Sequence, residues 1–583
     1  MNYGFTNAIA AILLVGVLIF ATGVPISYYA ARDGVDIDLL TRGAGFGYIG
    51  STITSLIYAS FTFIFFAIEA AILASMLQAC LGIPPPVGYI ICTVAVIPLV
   101  THGITFISRV QLWSQPVWLL LQLLPFVVVG VTVRDAFAHW TGYAGAAPGA
   151  DGSFQLLLFG SAASVVFSLI AQIGEQVDYL RFLPSPGPGQ SRTGWWAAML
   201  AGGPGWIVIG TLKLLGGSFL ACIAVAGGLA PGLAAQPSVM YQVAFGYVVH
   251  SPAAALALTV CFVVVSQTKI NITNAYAGSI AWSNFFSRLT HSHPGRVVWL
   301  IFNIAIALLL MELGIYQAIE HTLVVYSIVA AAWVGALVAD LVVNKPLGLS
   351  PGYIEFKRAH LYDINPVGLA SMALAVVVAL AAYTGGFGML AQALSPFLAF
   401  VCGFATAPLI AWATGGRYYI ARKPRAHWGK LPALRCVICE NDFEPDDMAY
   451  CPAYAGAICS LCCSLDARCH DGCKKAARLC DQVSAPLSAL IAPPLRQALT
   501  GSLARYFGTL ALFIVAAGGI LLLIHGQTVS GGSAERAAVA RAFWHAFFIL
   551  IPVSGVLAWL LVLAQESRRV AQEETQRQTA LLM

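Results

Sequence analysis

Charge is what this chain has least of. Asp, Glu, Lys and Arg together make up 9% of its 583 residues, against about 25% in an ordinary soluble domain. The length would accommodate three or four soluble domains, but the composition excludes that organisation. The basic residues form no patch interleaved with aromatics, so nucleic acid is not a partner. No serine, cysteine or carboxylate constellation of an enzyme is visible, and no kinase core with its phospho-accepting histidine and glycine boxes. The first apolar segment lacks the basic start of a signal peptide.

What fills the chain is apolar sequence, 59% of it hydrophobic. Eleven long apolar segments run from residue 5 to about 415, and two more follow at 504–524 and 543–564. Each approaches the ~20 residues a helix needs to cross hydrocarbon. Backbone groups in lipid must be satisfied within the segment, so helices are expected. Two segments, 47–79 and 239–286, exceed one simple span and must tilt, break or project into water.

The few cations mark an orientation. Alternate connections carry Arg32 and Arg42, then Arg109, then Arg181 and Arg192, then Arg288 and Arg296, then Lys345, Lys357 and Arg358, whereas the opposite connections carry Arg134 alone. The positive-inside rule places the rich side in the cytoplasm. Residues after 415, and the C-terminus, share that side. The expected location is the bacterial inner membrane, crossed many times.

Cysteine is concentrated in one place. Nine of the fourteen lie at Cys436, Cys439, Cys451, Cys459, Cys462, Cys463, Cys469, Cys473 and Cys480. Cys436-Val437-Ile438-Cys439 and Cys459-Ser460-Leu461-Cys462 are two knuckles whose spacing lets paired thiolates grip one tetrahedral zinc. Cys469, His470 and Cys473 are expected to complete a second site with Cys451 or Cys463. One or two zinc ions are therefore the expected cofactor. An iron–sulfur cluster is the alternative, and disulfides fit a reducing compartment poorly. The spacing does not follow the RING pattern, so no ligase activity is implied.

Four short stretches resemble the nucleobase–cation symporter family, the purine, cytosine and hydantoin permeases. They are Thr41-Arg42-Gly43-Ala44-Gly45-Phe46-Gly47, Glu175-Gln176-Val177-Asp178-Tyr179-Leu180-Arg181, Asn271-Ile272-Thr273-Asn274-Ala275-Tyr276 and Gly335-Ala336-Leu337-Val338-Ala339-Asp340. The resemblance implies an all-α, five-plus-five inverted-repeat fold with solute held at broken helices near the midplane. It also implies that the chain starts where the family's second helix starts, so that eleven of twelve helices are present.

On that resemblance the solute-binding candidates are Glu69, Gln172, Gly174, Glu175, Gln176, Asn271 and Asn274. An intramembrane ionisable or amide group needs a partner or a task. Glu69 either reads the solute's donors or joins an ion pair. The amides either bind a flat, hydrogen-bonding ligand or join helices. Lys269, beside Thr268, falls where sodium-coupled members place hydroxyl ligands. Its ammonium either stands in for the ion or pairs with Glu69, Glu175 or Asp178. Lys213 is read as a snorkelling side chain, and Asp340 as structural.

Six regions follow: a permease-like body at 1–415, a basic linker at 416–435, a Cys-rich module at 436–480, a linker at 481–503, a two-helix membrane hairpin at 504–564 and a polar cytoplasmic helix at 565–583. This order resembles the N-terminal part of bacterial sensor histidine kinases with transporter-like input domains. The implied function is a membrane sensor for a small polar solute, signalling to a cytoplasmic partner or kinase domain, with a homodimer allowed. The alternative is a secondary transporter of nucleobase-like solutes.

Overall fold

The computed structural model describes residues 2–184, 191–291, 293–314, 319–425, 428–466, 469, 471–474, 476–490, 502–528 and 533–582. Two compact units are present: 1–466 with 471–477, and 467–470 with 478–583. His470, expected as a metal ligand, lies outside the described residues.

The first unit is mostly helix. Its main elements are α1 (Phe5–Asp33), α2 (Gly50–Leu81), α3 (Pro85–Thr101), α4 (Ile104–Thr132), α5 (Leu156–Val166), α6 (Ile173–Leu180), α7 (Arg192–Gly202), α8 (Gly205–Ala226), α9 (Pro237–Val248), α10 (Pro252–Thr290), α11 (Arg296–Glu312), α12 (Ile319–Ala339), α13 (Pro366–Tyr383) and α14 (Ser395–Thr414). Across both units, eleven helical stretches among the described residues are long and apolar enough to cross a membrane.

The two overlong segments resolve differently. The 47–79 segment forms one helix, α2, which begins at Gly50 and runs to Leu81. The 239–286 segment divides into α9 and the 39-residue α10, broken where Ser251 caps the new helix and Pro252 takes its first position. At 1.5 Å per residue α10 is about 58 Å long, nearly twice the ~30 Å of hydrocarbon. One end of it must leave the apolar layer. At residues 172–176, where the resemblance implies a broken helix, the chain stays helical. The backbone tightens into a 3₁₀ turn over Phe167–Gln172, between α5 and α6.

Small residues set the tightest packing. A Cβ on Gly335 of α12 would lie 2.5 Å from the Phe400 carbonyl oxygen of α14, and one on Gly403 would lie 2.7 Å from that of Ala332. Close approach through small residues is how helices associate where no hydrophobic driving force separates them from lipid.

The Cys-rich segment belongs to the same unit. Two short antiparallel pairs, β1 (Leu434–Arg435) with β2 (Asp442–Phe443) and β3 (Met448–Cys451) with β4 (Gly456–Cys459), lead into α15 (Ser460–Leu465). The connection before α13 carries this segment. Arg358 donates to Asp471 at 2.9 Å and to the Cys463 carbonyl at 2.9 Å, while Lys474 reaches Asp363 at 2.6 Å. His291, just past α10, meets the Ser464 carbonyl at 3.0 Å.

The second unit contains α16 (Leu479–Leu490), α17 (Ser502–Thr528) and the 50-residue α18 (Ser533–Leu582). The last two pack side by side, with Arg505 and Glu566 paired at 2.9 Å.

Candidate functional site

A cavity of about 1380 Å³ opens among α2, α4, α8 and α10. Four predicted residues line it: Glu69 from α2, Gln172 from the 3₁₀ turn, and Lys269 and Asn274 from α10. Aromatic rings wall it, among them Phe61, Phe65, Trp118, Tyr179 and Trp206.

Asn274 is 1% exposed, and neither amide atom has a hydrogen-bond partner. The carbonyl of Gln267, two turns earlier on the same face, also lacks one. Burying an amide without a partner costs about 1–3 kcal/mol. Asn271 is equally unpartnered, but Asn274 and Gln267 differ from it in bordering the cavity, where a ligand or water can complete them.

Lys269 does not pair with Glu69, Glu175 or Asp178. Its Nζ donates instead to the Gln111 carbonyl at 2.8 Å and to Ser114 Oγ at 3.0 Å, both on α4. The pairing fails because each carboxylate has other neighbours. Glu69 faces Gln267 and the ammonium of Lys213. Asp178 accepts from the Tyr58 hydroxyl at 2.9 Å, and Glu175 faces Gln172. Lys213 lines the cavity, with its Nζ 5.4 Å from the centre of the Trp118 ring.

Other predicted residues lie away from the cavity. Gln176 donates to Ser27 Oγ at 2.8 Å and accepts from Trp206 Nε1 at 2.8 Å, so it joins α1, α6 and α8. Gly174 is packed against Tyr58, whose ring a Cβ would meet at 2.5 Å. Glu175 and Asn271 are buried outside the cavity lining, and Thr268 is not among its walls either. Sequence reasoning missed Lys213, Gln267 and a stripe on α4. Gln111, Gln115, Trp118 and Gln122 recur at intervals of three or four and line one wall, a helical periodicity that was readable.

One end of the helices holds a different arrangement. Asp38 receives Arg42 at 2.8 Å and Arg288 at 2.7 Å, and Ser55 donates to it at 2.6 Å. Burial alone would raise its carboxyl, but Arg288 and Arg42 hold it below the usual carboxylate range. Glu355 behaves alike. Burial opposes its charge, yet the hydrogen bond to His360 at 2.9 Å and the Lys357 ammonium at 3.2 Å depress it.

In the Cys-rich segment, Cys436, Cys439, Cys459 and Cys462 bring their sulfurs within 4.8 Å of one another. Tetrahedral zinc with Zn–S near 2.3 Å needs S···S separations of about 3.8 Å, so the four thiols fit a metal ion with little movement. The N–H groups of Cys459 and Cys462 point at the sulfurs of Cys436 and Cys459, each at 3.4 Å. Burial opposes the Cys436 thiolate, but surrounding N–H groups bring its thiol down to about 7. Burial pushes Cys459 up to about 11.

The second expected site turns on His470, which lies outside the described residues. Cys451, Cys463, Cys469 and Cys473 join no metal-ligand cluster among the described residues. Cys451 is held in β3, and Cys463 is turned inward by α15. Cys469 falls in the second unit.

No protein-family model and no curated protein matches the chain. Solved structures do. One is Mhp1, a nucleobase-cation-symport-1 family transporter, in a closed conformation with bromovinylhydantoin bound. It is 16% identical, with a TM-score of 0.50, over 70% of this chain and 87% of that one. The inward-facing conformation of Mhp1 matches at 17% identity and a TM-score of 0.51, over 70% of this chain and 84% of that one. The chain thus carries the secondary-transporter fold seen in Mhp1, a nucleobase–cation symporter.

Proposed function

We propose that this protein is a secondary transporter that binds a small, flat, polar solute in the cavity between α2, α4, α8 and α10. The observation that carries the reading is the buried Asn274 amide, both of whose atoms lack a partner, together with the unpartnered Gln267 carbonyl, set between aromatic walls. Amides present donors and acceptors in a plane, and aromatic rings stack on a flat ligand. Nucleobases and hydantoins have that chemistry, and the fold likeness to Mhp1 points the same way. Lys269 places its amino group where the family resemblance puts hydroxyl ligands to sodium, and sodium-independent binding is the expected outcome.

The test is a thermal-shift screen of the full chain in detergent, followed by uptake into proteoliposomes. A ligand that binds only the folded state raises its melting temperature by mass action. Saturable, concentrative uptake of the same compound supports transport. Absence of any shift across nucleobases and hydantoins counts against the reading.

A second reading is carried by α18, which runs for 50 residues and ends in a polar stretch. A helix continuing from the membrane in this way suits a sensor that passes ligand occupancy to a cytoplasmic partner. Binding without uptake would favour it.

The four-cysteine cluster is proposed to hold one structural zinc on the cytoplasmic side. About one equivalent of zinc per chain after purification without chelator supports this. Its loss in the Cys436→Ser, Cys439→Ser double variant, with the membrane body still folded, identifies the ligands.

A further inference from the structure

Three ionisable side chains other than tyrosine line the cavity among the described residues: Glu69, Lys213 and Lys269. Glu69 and Lys213 carry opposite charges that act on each other without forming a contact pair, so one acid offsets one of the two bases. Lys269 has no such counterpart. Its two hydrogen-bond acceptors, the Gln111 carbonyl and Ser114 Oγ, are both neutral. No carboxylate among the described residues pairs with it. An ammonium has three N–H donors, and two are accounted for.

An uncompensated cation inside the membrane is costly. Two neutral hydrogen bonds offset part of that cost but leave the charge. A ligand that brings one negative charge to the third N–H removes the imbalance. A neutral ligand leaves it in place, now further from water.

We infer that the cavity selects a planar monoanion, its negative group held at Lys269 and its flat polar body placed against Asn274 and Gln267. The inference rests on the cavity being the solute site. It deepens that reading by naming the charge class: a heteroaromatic or cyclic-imide carboxylate rather than the parent neutral ring.

The experiment compares matched pairs on the full chain: uracil with orotate, hydantoin with hydantoin-5-acetate, and benzamide with benzoate. Binding is measured by calorimetry in detergent at constant ionic strength. The expected result is that the anion of at least one pair binds at least tenfold more tightly than its neutral partner. Lys269→Gln should erase that preference, and Lys269→Arg should retain it. Equal or tighter binding of the neutral members overturns the charge assignment and leaves the solute site standing. Failure of every compound in every pair overturns both. An anion preference that survives intact in Lys269→Gln overturns the role given to Lys269. Should that variant not fold, the comparison within pairs on the unaltered protein still decides the charge class.

Discussion

The Asp38 network and the cavity around Asn274 are both polar assemblies inside an apolar protein, yet they are built oppositely. At Asp38 both carboxylate oxygens are engaged, one by Arg42 and the other by Arg288 and Ser55. Around Asn274, buried amide atoms have no partner and Lys269 has no counter-charge. A network whose charges are all paired, as at Asp38 even though Arg42 Nε has no partner, holds elements in place, while one left open costs stability unless something else completes it. The difference separates polar residues that support the fold from those kept for a ligand.

The largest way to break this comparison is Asp38→Asn. Two buried guanidiniums would lose their counter-charge, and removing one partner of a buried pair costs about 3–5 kcal/mol. Unfolding in detergent should show a loss of that order. A change below about 1 kcal/mol would mean that the network is solvated and the contrast false.

Gly174→Ala comes next. The new methyl would meet the Tyr58 ring at 2.5 Å, and overpacking of this kind costs about 1–3 kcal/mol. Ligand affinity should be unchanged, because Gly174 lies outside the cavity lining. Weaker binding at equal stability would return it to the site.

The sequence showed the helices more clearly than the site. Long apolar runs have one solution in lipid, so the helical body was legible. The two C-x₂-C knuckles were legible as well, because the spacing itself closes the ligand turn. Which polar residue faces the cavity was not. Gln176 and Gln172 are four apart, yet one is consumed by Ser27 and Trp206 and the other lines the cavity. That choice depends on which helix lies opposite, and one chain's pattern does not encode it. The α4 stripe is readable from periodicity alone, although Gln111, Gln115, Trp118 and Gln122 carry no charge to mark it.

Acid should act on the satisfied end of the comparison. Glu355 is held below its ordinary value by His360 and Lys357 against the opposing effect of burial. A depressed carboxyl contributes stability above its unfolded value, near 4.5, and loses it as pH falls through the folded value. Melting temperature should therefore decline below pH 4.5, and Glu355→Gln should flatten the part of that decline due to this group. An identical acid limb in the variant would show that Glu355 is not depressed.

The smallest expected change in stability is the sharpest test of the contrast. Replacing Asn274 by Leu removes two buried polar atoms that have no partner. Loss of an unsatisfied amide to an apolar side chain of similar size is nearly neutral or stabilising. The melting temperature of Asn274→Leu should hold or rise, whereas a polar residue within a satisfied network would lower it. Affinity for any identified solute should fall about tenfold to a hundredfold, the worth of one or two hydrogen bonds in a dry site. The two measurements must diverge, stability kept and binding lost. If both fall together, Asn274 is part of the scaffold, and the unpartnered atoms do not mark a ligand.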